Sequence, residues 1–506
     1  MGALTITQTQ KNVSKSALET YFDQYRKHII GVNQKFESPF GIKKIIYADW
    51  IASGRLYAPI ERIISDHLGP FVANTHTETS VTGSAMTMAY QKAREIIKAH
   101  VNANKNDILI ASNSGMTGVV NKLQRIIGVK IHEKFQDRIK LAEQDRPIIF
   151  CTHMEHHSNQ TSWIETTGDV VVISACPEGR VCLEDFARLL DKYKNRKTKI
   201  AAITSCSNVT GISTPYHQMA KMIHQAGGVC FVDFACSAPY IDIDMHPSDP
   251  ESYLDAIYFS PHKFLGGPAS SGVLVFNQAL YTNRVPDNPG GGTVDWTNPW
   301  GQHKFHEEIE AREDGGTPAF LQTIKVAYCI KLKNAMGVDN IIAREHELLD
   351  IIWDRMPQID GVNILADNNK ERLGVISFYI NDLHFNLAVK LLNDKFGIQV
   401  RGGCSCAGTY GHYLLAVSHE NSKALTDQID EGSLTNKPGW VRMSIHPTTT
   451  NEELNQIIDG IAAVAENHAT WKQDYIYHPK TNEYSHKSGQ CAEKELVKDW
   501  FDLALI

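Results

Sequence analysis

No uninterrupted apolar run in the 506-residue sequence reaches the length that crosses a membrane. The first residues, Met1 to Ser16, are polar and lack the apolar centre of a secretion signal, so a cytoplasmic chain is expected. Blocks of like charge are missing too. The formal net charge of -7 is spread along the chain, which offers nothing for nucleic acid or an anionic membrane surface to grip. The ten cysteines are scattered through a long chain, a usage that suits reduced thiols better than a disulfide framework. No internal repeat and no low-complexity segment is present. What is present is the composition of an ordinary globular protein, 42% hydrophobic and 21% charged, with length enough for two or three domains and a large core.

From about residue 85 to 275 strand and helix patterns alternate. The segments 45–49, 107–111, 146–151, 170–173, 200–204, 228–233 and 255–260 read as strands, and 85–101, 183–194, 215–226 and the stretch from Val119 as helices. This alternation predicts an α/β domain with a mainly parallel sheet. Polar residues stand at the carboxyl ends of these strands: Ser114, His156, Asn208, Asp233 and Lys263. In such sheets that edge binds ligands. Residues 17–35 carry a helical pattern, and His76, in the polar Asn74–Thr77, reads as a surface-loop residue. The Pro- and Gly-rich stretch 286–318, with Trp296 and Trp300, predicts a loop that serves as a lid or subunit contact. A long helical stretch over 319–356 leads to a smaller α/β domain. That domain has strands at 374–379, 398–401 and 439–444, helices at 384–395 and 451–466, and the Gly-rich segment Gly402–Gly408 holding Cys404 and Cys406. The tail, 467–506, is polar and aromatic and gives no placement.

The chemistry centres on Asp255–Pro268, where an apolar strand runs into Ser260-Pro261-His262-Lys263 and then a Gly-Gly-Pro turn. A lysine in a desolvated strand-end site becomes a nucleophilic amine, and the chemistry that most often wants one is a Schiff base to pyridoxal phosphate. That cofactor needs further services. Asp233 supplies an acid for the pyridine nitrogen, and His156 a flat ring for its face. The turn Gly115-Met116-Thr117 opens a helix whose N-terminus can take the phosphate, with Ser260 and His262 beside it. Asn208 offers an amide to the ring oxygen or the substrate. Each also fits a plainer role, Asp233 or Thr117 as a helix cap and His156 as a satisfied core residue. Their occurrence together, all at strand ends, favours the cofactor.

These motifs resemble the class V aminotransferase group, and within it the cysteine desulfurase and selenocysteine lyase family. The resemblance covers about 45–466. It is carried by Met154-Glu155-His156-His157-Ser158-Asn159, Ser207–Gly211, Val232-Asp233, Ser260-Pro261-His262-Lys263, Gly316-Thr317-Pro318 and Arg401–Ala407. It implies a fold-type-I transferase: an arm and a segment packing with the small domain (1–74), a large cofactor domain (75–335), a small C-terminal domain with the cysteine loop (336–470) and an extension (471–506). It implies Lys263 as the Schiff-base lysine, His156 on the ring, Asp233 at the pyridine nitrogen, and Thr117, Ser260 and His262 at the phosphate. Cys406 is implied as the thiol that takes sulfur, and Arg442, with Arg401 and Asn208 near it, as the holder of the substrate carboxylate. Two positions depart from the family pattern. Cys236 stands where Asp-x-Ala-Gln has glutamine, and Met116 replaces one of two threonines at the phosphate turn.

The leading expectation is therefore a desulfurase that moves sulfur from L-cysteine to Cys406 as a persulfide and releases alanine, acting as a homodimer with a sulfur-acceptor protein. Another class V reaction, by a C–S lyase, epimerase or aminotransferase, is the alternative. A reading from another class is a metal-dependent hydrolase built on His153, His156, His157 and Asp233. The desulfurase reading itself expects no metal.

Overall fold

The computed structural model describes residues 15–75, 78–489 and 492–502. His76 and most of Met1–Ser16 lie outside the described residues. The central sheet is built from β1 (Asp107–Ser112), β2 (Ile148–Thr152), β3 (Asp169–Ile173), β4 (Lys199–Thr204), β5 (Val229–Asp233), β6 (Ala256–Phe259) and β7 (Gly272–Asn277). Their order is β1-β7-β6-β5-β4-β2-β3. From β6 to β3 every pairing is parallel, and β7 runs antiparallel to both its neighbours. The strands are continuous apolar runs because both faces are covered. Alternate residues serve opposite faces: Ile257, Phe259, Val273 and Val275 enter one hydrophobic cluster, and Ala256, Tyr258, Leu274 and Phe276 the other. The helices between strands include α3 (Gly115–Ile126), α4 (His157–Ile164), α5 (Leu183–Lys192) and α6 (Tyr216–Gln225), preceded by α1 (Ala17–Arg26) and α2 (Val81–His100).

Several sequence expectations are corrected here. Helix α1 stops at Arg26 instead of reaching 35, because the chain turns so that Ile29 can bridge to Tyr57. The stretch 286–318 holds a hairpin, Val294–Thr297 with His303–Phe305, and a short helix, Ile309–Glu313. The helical stretch 319–356 is two helices, α7 (Phe320–Met336) and α8 (Val338–Arg355). Gly337 between them has φ of 77°, a left-handed turn that a side chain resists. The tail forms a hairpin, Tyr475–His478 with Glu483–His486, tied down by Tyr475 OH donating to Asp394 Oδ2 at 3.0 Å. Among the described residues no helix is long and apolar enough to cross a membrane.

A second sheet follows, antiparallel throughout, from β8 (Val362–Ile364), β9 (Val375–Ile380), β10 (Arg401–Gly403) and β11 (Trp440–Ser444), in the order β8-β9-β11-β10. It packs against α9 (Phe385–Leu391) and α12 (Asn451–Trp471), whose Leu454, Ile457, Ile458, Ile461 and Val464 lie on one face at helical spacing. A capping box between Thr450 and Glu453 starts α12. Early chain joins this unit: Ile46–Tyr47 pairs parallel with Ile398–Gln399, and Asp49 bridges to Ser444. Ile46 and Ala48 are buried in the same cluster as Met443 and Ile457.

Candidate active site

The carboxyl ends of β2, β4, β5 and β6 open on a cavity of about 210 Å³ that is closed on its far side by residues around β10 and β11. Helix α3 points its N-terminus at one end. Its cap residue, Ser114, makes no side-chain capping bond, which leaves backbone N–H groups facing the cavity. Gly115 enters the helix at φ of 57°. A side chain on Gly272 of β7 would place its Cβ 2.2 Å from the Gly115 carbonyl oxygen, so the turn lies directly on the sheet edge. Met116 N donates to Ser260 Oγ at 2.8 Å, and the hydroxyls of Thr117 and Ser158 meet at 2.7 Å. A ring of hydroxyls around an uncapped helix end is a ready anion cradle.

Lys263 follows β6 in a single turn, Pro261–Lys263, and its amine lines the cavity with Asp233. Burial lowers the Lys263 pKa against the opposing pull of Cys236 and Asp233. Burial pushes Asp233 up to about 6, and its one listed backbone partner, the Ala235 N–H at 2.8 Å, only partly offsets this. Burial also pushes His156 down to about 3, with Lys263 and His157 adding to the shift. His156 is therefore a neutral ring at ordinary pH. It caps α4 by accepting from Ser158 N at 3.1 Å, which fixes the ring at the cavity wall. Burial pushes His262 down to about 4.

The opposite wall carries the arginines. Arg442, on the buried strand β11, donates to the Asn208 carbonyl at 3.2 Å and to Asp49 Oδ1 at 2.9 Å. Arg401 donates to the other oxygen of Asp49 at 3.1 Å. One carboxylate thus sits between two guanidinium groups that line the cavity. Beside them lies the cysteine loop, in which Ser405 and Cys406 both take left-handed backbone angles, 51° and 55°. Residues of the large sheet hold this conformation. His157 N donates to the Cys406 carbonyl at 2.7 Å, Asn208 Nδ2 to the Ser405 carbonyl at 2.8 Å, and Gly408 N to His157 Nε2 at 3.0 Å. Trp440 Nε1 adds a bond to Ser405 Oγ at 3.1 Å.

The structure brings Met116, Thr117, His156, Asn208, Asp233, Ser260, His262, Lys263, Arg401, Cys406 and Arg442 to one cavity. Gly115 shapes its rim from below. Cys404 does not line the cavity and packs instead against the hydrophobic core. The histidines of the hydrolase reading are not brought together: His153 Nε2 meets the Gly179 carbonyl at 3.3 Å, and His157 is spent on the cysteine loop. Among the described residues no group of three or more metal-ligating side chains is placed to hold an ion. Glu155, the acid of that cluster, ties strand ends by accepting from Thr152 N and Thr204 N, and burial pushes it up to about 7. Sequence reading missed Asp49, Ser158 and Cys206. Asp49 ends a strand just as Asp233 does, so the same strand-end signal marked it; its arginine partners, some 350 residues away, carried no such mark.

Residues 46–457 match the family model described as Aminotransferase class-V. A protein of Halalkalibacterium halodurans described as a probable cysteine desulfurase is 29% identical over 367 residues, covering 72% of this chain and 84% of that protein. One of Staphylococcus aureus with the same description is 26% identical over 428 residues, covering 84% of this chain and 93% of its own length. Among solved structures, the apo cysteine desulfurase of Thermococcus onnurineus superposes with a TM-score of 0.70 at 21% identity, covering 88% of this chain and 98% of that one. The Escherichia coli cysteine desulfurase CsdA, in an S-sulfonic acid form, gives 0.67 at 19% identity, with the same coverage of 88% and 98%. These likenesses show the fold-type-I architecture expected from the sequence.

Proposed function

Because the chain belongs to the class-V aminotransferase family, whose members are pyridoxal-phosphate-dependent enzymes, we propose that it moves sulfur from L-cysteine to its own Cys406 and releases alanine. The observation that supports this reading is the shared cavity: the Cys406 loop and Lys263 arrive from different sheets and line the same space.

The side chains present fit the cofactor. Asn208 Oδ1 and Arg442 Nε are buried in the cavity wall with no hydrogen-bond partner among the described residues, a state that is costly unless a ligand completes it. The uncapped α3 N-terminus, Thr117, Ser260 and His262 would hold the phosphate. Asp233 would meet the pyridine nitrogen, His156 the ring face, and Lys263 the aldehyde carbon. Bound there, pyridoxal phosphate supplies an electron sink for the charge left when the substrate loses its Cα proton.

The chain's own residues do the rest. Arg442 receives the substrate carboxylate through a fixed, always-charged fork. Lys263, its basicity lowered by burial, takes the Cα proton on Nζ. The Cys406 thiolate attacks the substrate sulfur, the Cβ–S bond breaks, and the sulfur stays on Cys406 as a persulfide while the carbon skeleton leaves as alanine. Cys406 is exposed, so an acceptor thiol can reach the persulfide from outside. The test is to mix the purified protein with L-cysteine, trap the persulfide by alkylation, locate it by peptide mass and measure alanine. Persulfide on Cys406 with matching alanine is the expected result. Turnover of the amino acid with persulfide on neither Cys406 nor Cys404 would refute it and leave a lyase or aminotransferase reaction.

A further inference from the structure

Two cysteines outside the proposed sulfur transfer share its cavity. Cys206 lies just past β4 and Cys236 just past β5. The two strands are parallel neighbours with Thr204 opposite Asp233, so the residues that leave their carboxyl ends are brought side by side. The loops are stitched beneath the pair: Ser205 Oγ donates to the Asp233 carbonyl at 2.9 Å and meets Ser237 Oγ at 2.6 Å. The result is a Cys236 Sγ to Cys206 Sγ distance of 3.8 Å, with Cys236 Sγ also 3.5 Å from the Ser207 carbonyl. Both side chains are shielded from bulk solvent, 1% and 4% exposed, yet both line the cavity beside Lys263.

We propose that Cys206 and Cys236 form a second reactive site in this cavity, a dithiol that closes to a disulfide when a peroxide enters. The step balances within the pair. The Cys236 thiolate attacks one peroxide oxygen and becomes a sulfenic acid, releasing the other oxygen as water after protonation. The Cys206 thiol then attacks the Cys236 sulfur, the S–O bond breaks, and the second oxygen leaves as water. Two thiols give up two electrons and two protons, and the peroxide becomes two waters.

Geometry and surroundings select this pair. Closing 3.8 Å to a bond length of about 2.05 Å takes about 1.7 Å of sulfur travel, within the reach of side-chain rotation on two loop residues. The charges divide the roles. The bond to Cys206, then Lys263 and Arg442, hold the Cys236 thiol below its ordinary pKa despite burial, whereas burial and Cys236 raise Cys206. The lower thiol is the one a peroxide oxidises, and the higher one remains a thiol to resolve it. Cys151, Cys230 and Cys329 are as deeply buried, but they do not line the cavity. Closure would remove the Cys236 charge that opposes the lowering of Lys263 and would pin together the two loops that carry Asn208 and Asp233.

The inference stands apart from the sulfur-transfer reading, and its test does not depend on turnover. The full-length holoenzyme is treated with hydrogen peroxide without L-cysteine, alkylated under denaturing conditions, digested and mapped by mass. The expected product is a cross-linked peptide pair containing Cys206 and Cys236, lighter by two hydrogens than the sum of its parts and abolished by dithiothreitol. Cys406→Ser should form the link as well as wild type does, which separates it from chemistry at the exposed thiol. Cys206→Ala should instead leave Cys236 as a sulfenic or sulfinic acid. Recovery of both Cys206 and Cys236 alkylated from wild-type protein in which Cys406 is fully oxidised would overturn the proposal. So would over-oxidised Cys236 beside an alkylated Cys206.

Discussion

Asp49 is bound where a substrate carboxylate is expected, so replacing it with asparagine tests how the cavity chooses its ligand. The side chain keeps its shape and one oxygen but loses its charge. Two effects oppose each other. The bond to Arg442 falls from charge-assisted, about 1.5–3 kcal/mol, to neutral, about 0.5–1.5 kcal/mol, so the protein should be destabilised by about 1 kcal/mol. On the other side, a bound carboxylate about 5 Å from Asp49 is repelled by about 3 kcal/mol at an effective dielectric near 20. Part of that is screened, because Arg401, the second partner, is half exposed at 53%. Arg442 needs little help from Asp49 to stay in position, since it is 3% exposed on β11 and also bonds the Asn208 carbonyl. Relief of repulsion therefore wins, and Asp49→Asn should tighten binding of L-alanine about tenfold, a gain of about 1.4 kcal/mol. L-Alanine carries the carboxylate and no sulfur, so the measurement is independent of the chemical step. Binding is read from the change in cofactor absorbance, with ethylamine as the control lacking a carboxylate. Tighter L-alanine binding with unchanged ethylamine binding is the expected outcome. Weaker L-alanine binding would show that Asp49 acts mainly to place Arg442, and the competition argument would fail.

Lys263→Ala should abolish the yellow absorbance of the purified protein, and a colourless wild-type protein carrying stoichiometric zinc would reject the cofactor assignment. Cys404→Ser should retain most sulfide release from L-cysteine, because Cys404 faces the core and not the cavity; a loss as large as that of Cys406→Ser would contradict this. His446, stacked on Trp50 at 4.3 Å, is pushed by burial down to about 3. An unfolded histidine takes a proton near 6.5, so the stability this residue contributes is complete above that pH and is lost as pH falls below it, by about 1.4 kcal/mol at pH 5.5. His446→Gln should be the less stable protein at pH 8, with the gap narrowing by that amount at pH 5.5 in urea titrations; a constant gap would refute the sign. The indoles of Trp300 and Trp296, 83% and 48% exposed on their hairpin, are expected to meet a second copy. Sedimentation of wild type should show a dimer at micromolar concentration, and a fully active monomer would count against it.

The parallel sheet was legible because its strands, covered on both faces, are apolar runs with polar residues placed abruptly at their ends. Asp233, Lys263 and Asn208 were visible in this way, each within a few residues of a strand whose direction fixes where it points. What escaped had no local signature. Asp49 acquires its setting from the pairing of Ile46–Tyr47 with Ile398–Gln399, a long-range register that periodicity does not encode. The break at Gly337 was masked by apolar spacing that continues on either side. Helix α1 was overextended because its pattern persists past Arg26, where a tertiary bridge from Ile29 overrides propensity. Cys206 and Cys236 could each be seen in the sequence, but their adjacency follows from the β4–β5 neighbour relation, which strand order alone determines.

The backbone of the cysteine loop has a kinetic consequence. Left-handed geometry at Ser405 and Cys406 costs about 1–2 kcal/mol per residue. The bonds from His157, Asn208 and Trp440 return about 0.5–1.5 kcal/mol each. The two sums nearly cancel, so the loop rests on its dock like a latch without a spring, neither driven shut nor forced open. A segment so balanced detaches and returns on its own, at a rate set by backbone rearrangement and not by any ligand. A thiol mounted on it can visit the buried lysine and the outside solvent in turn, and traffic between the two needs no separate event to release it.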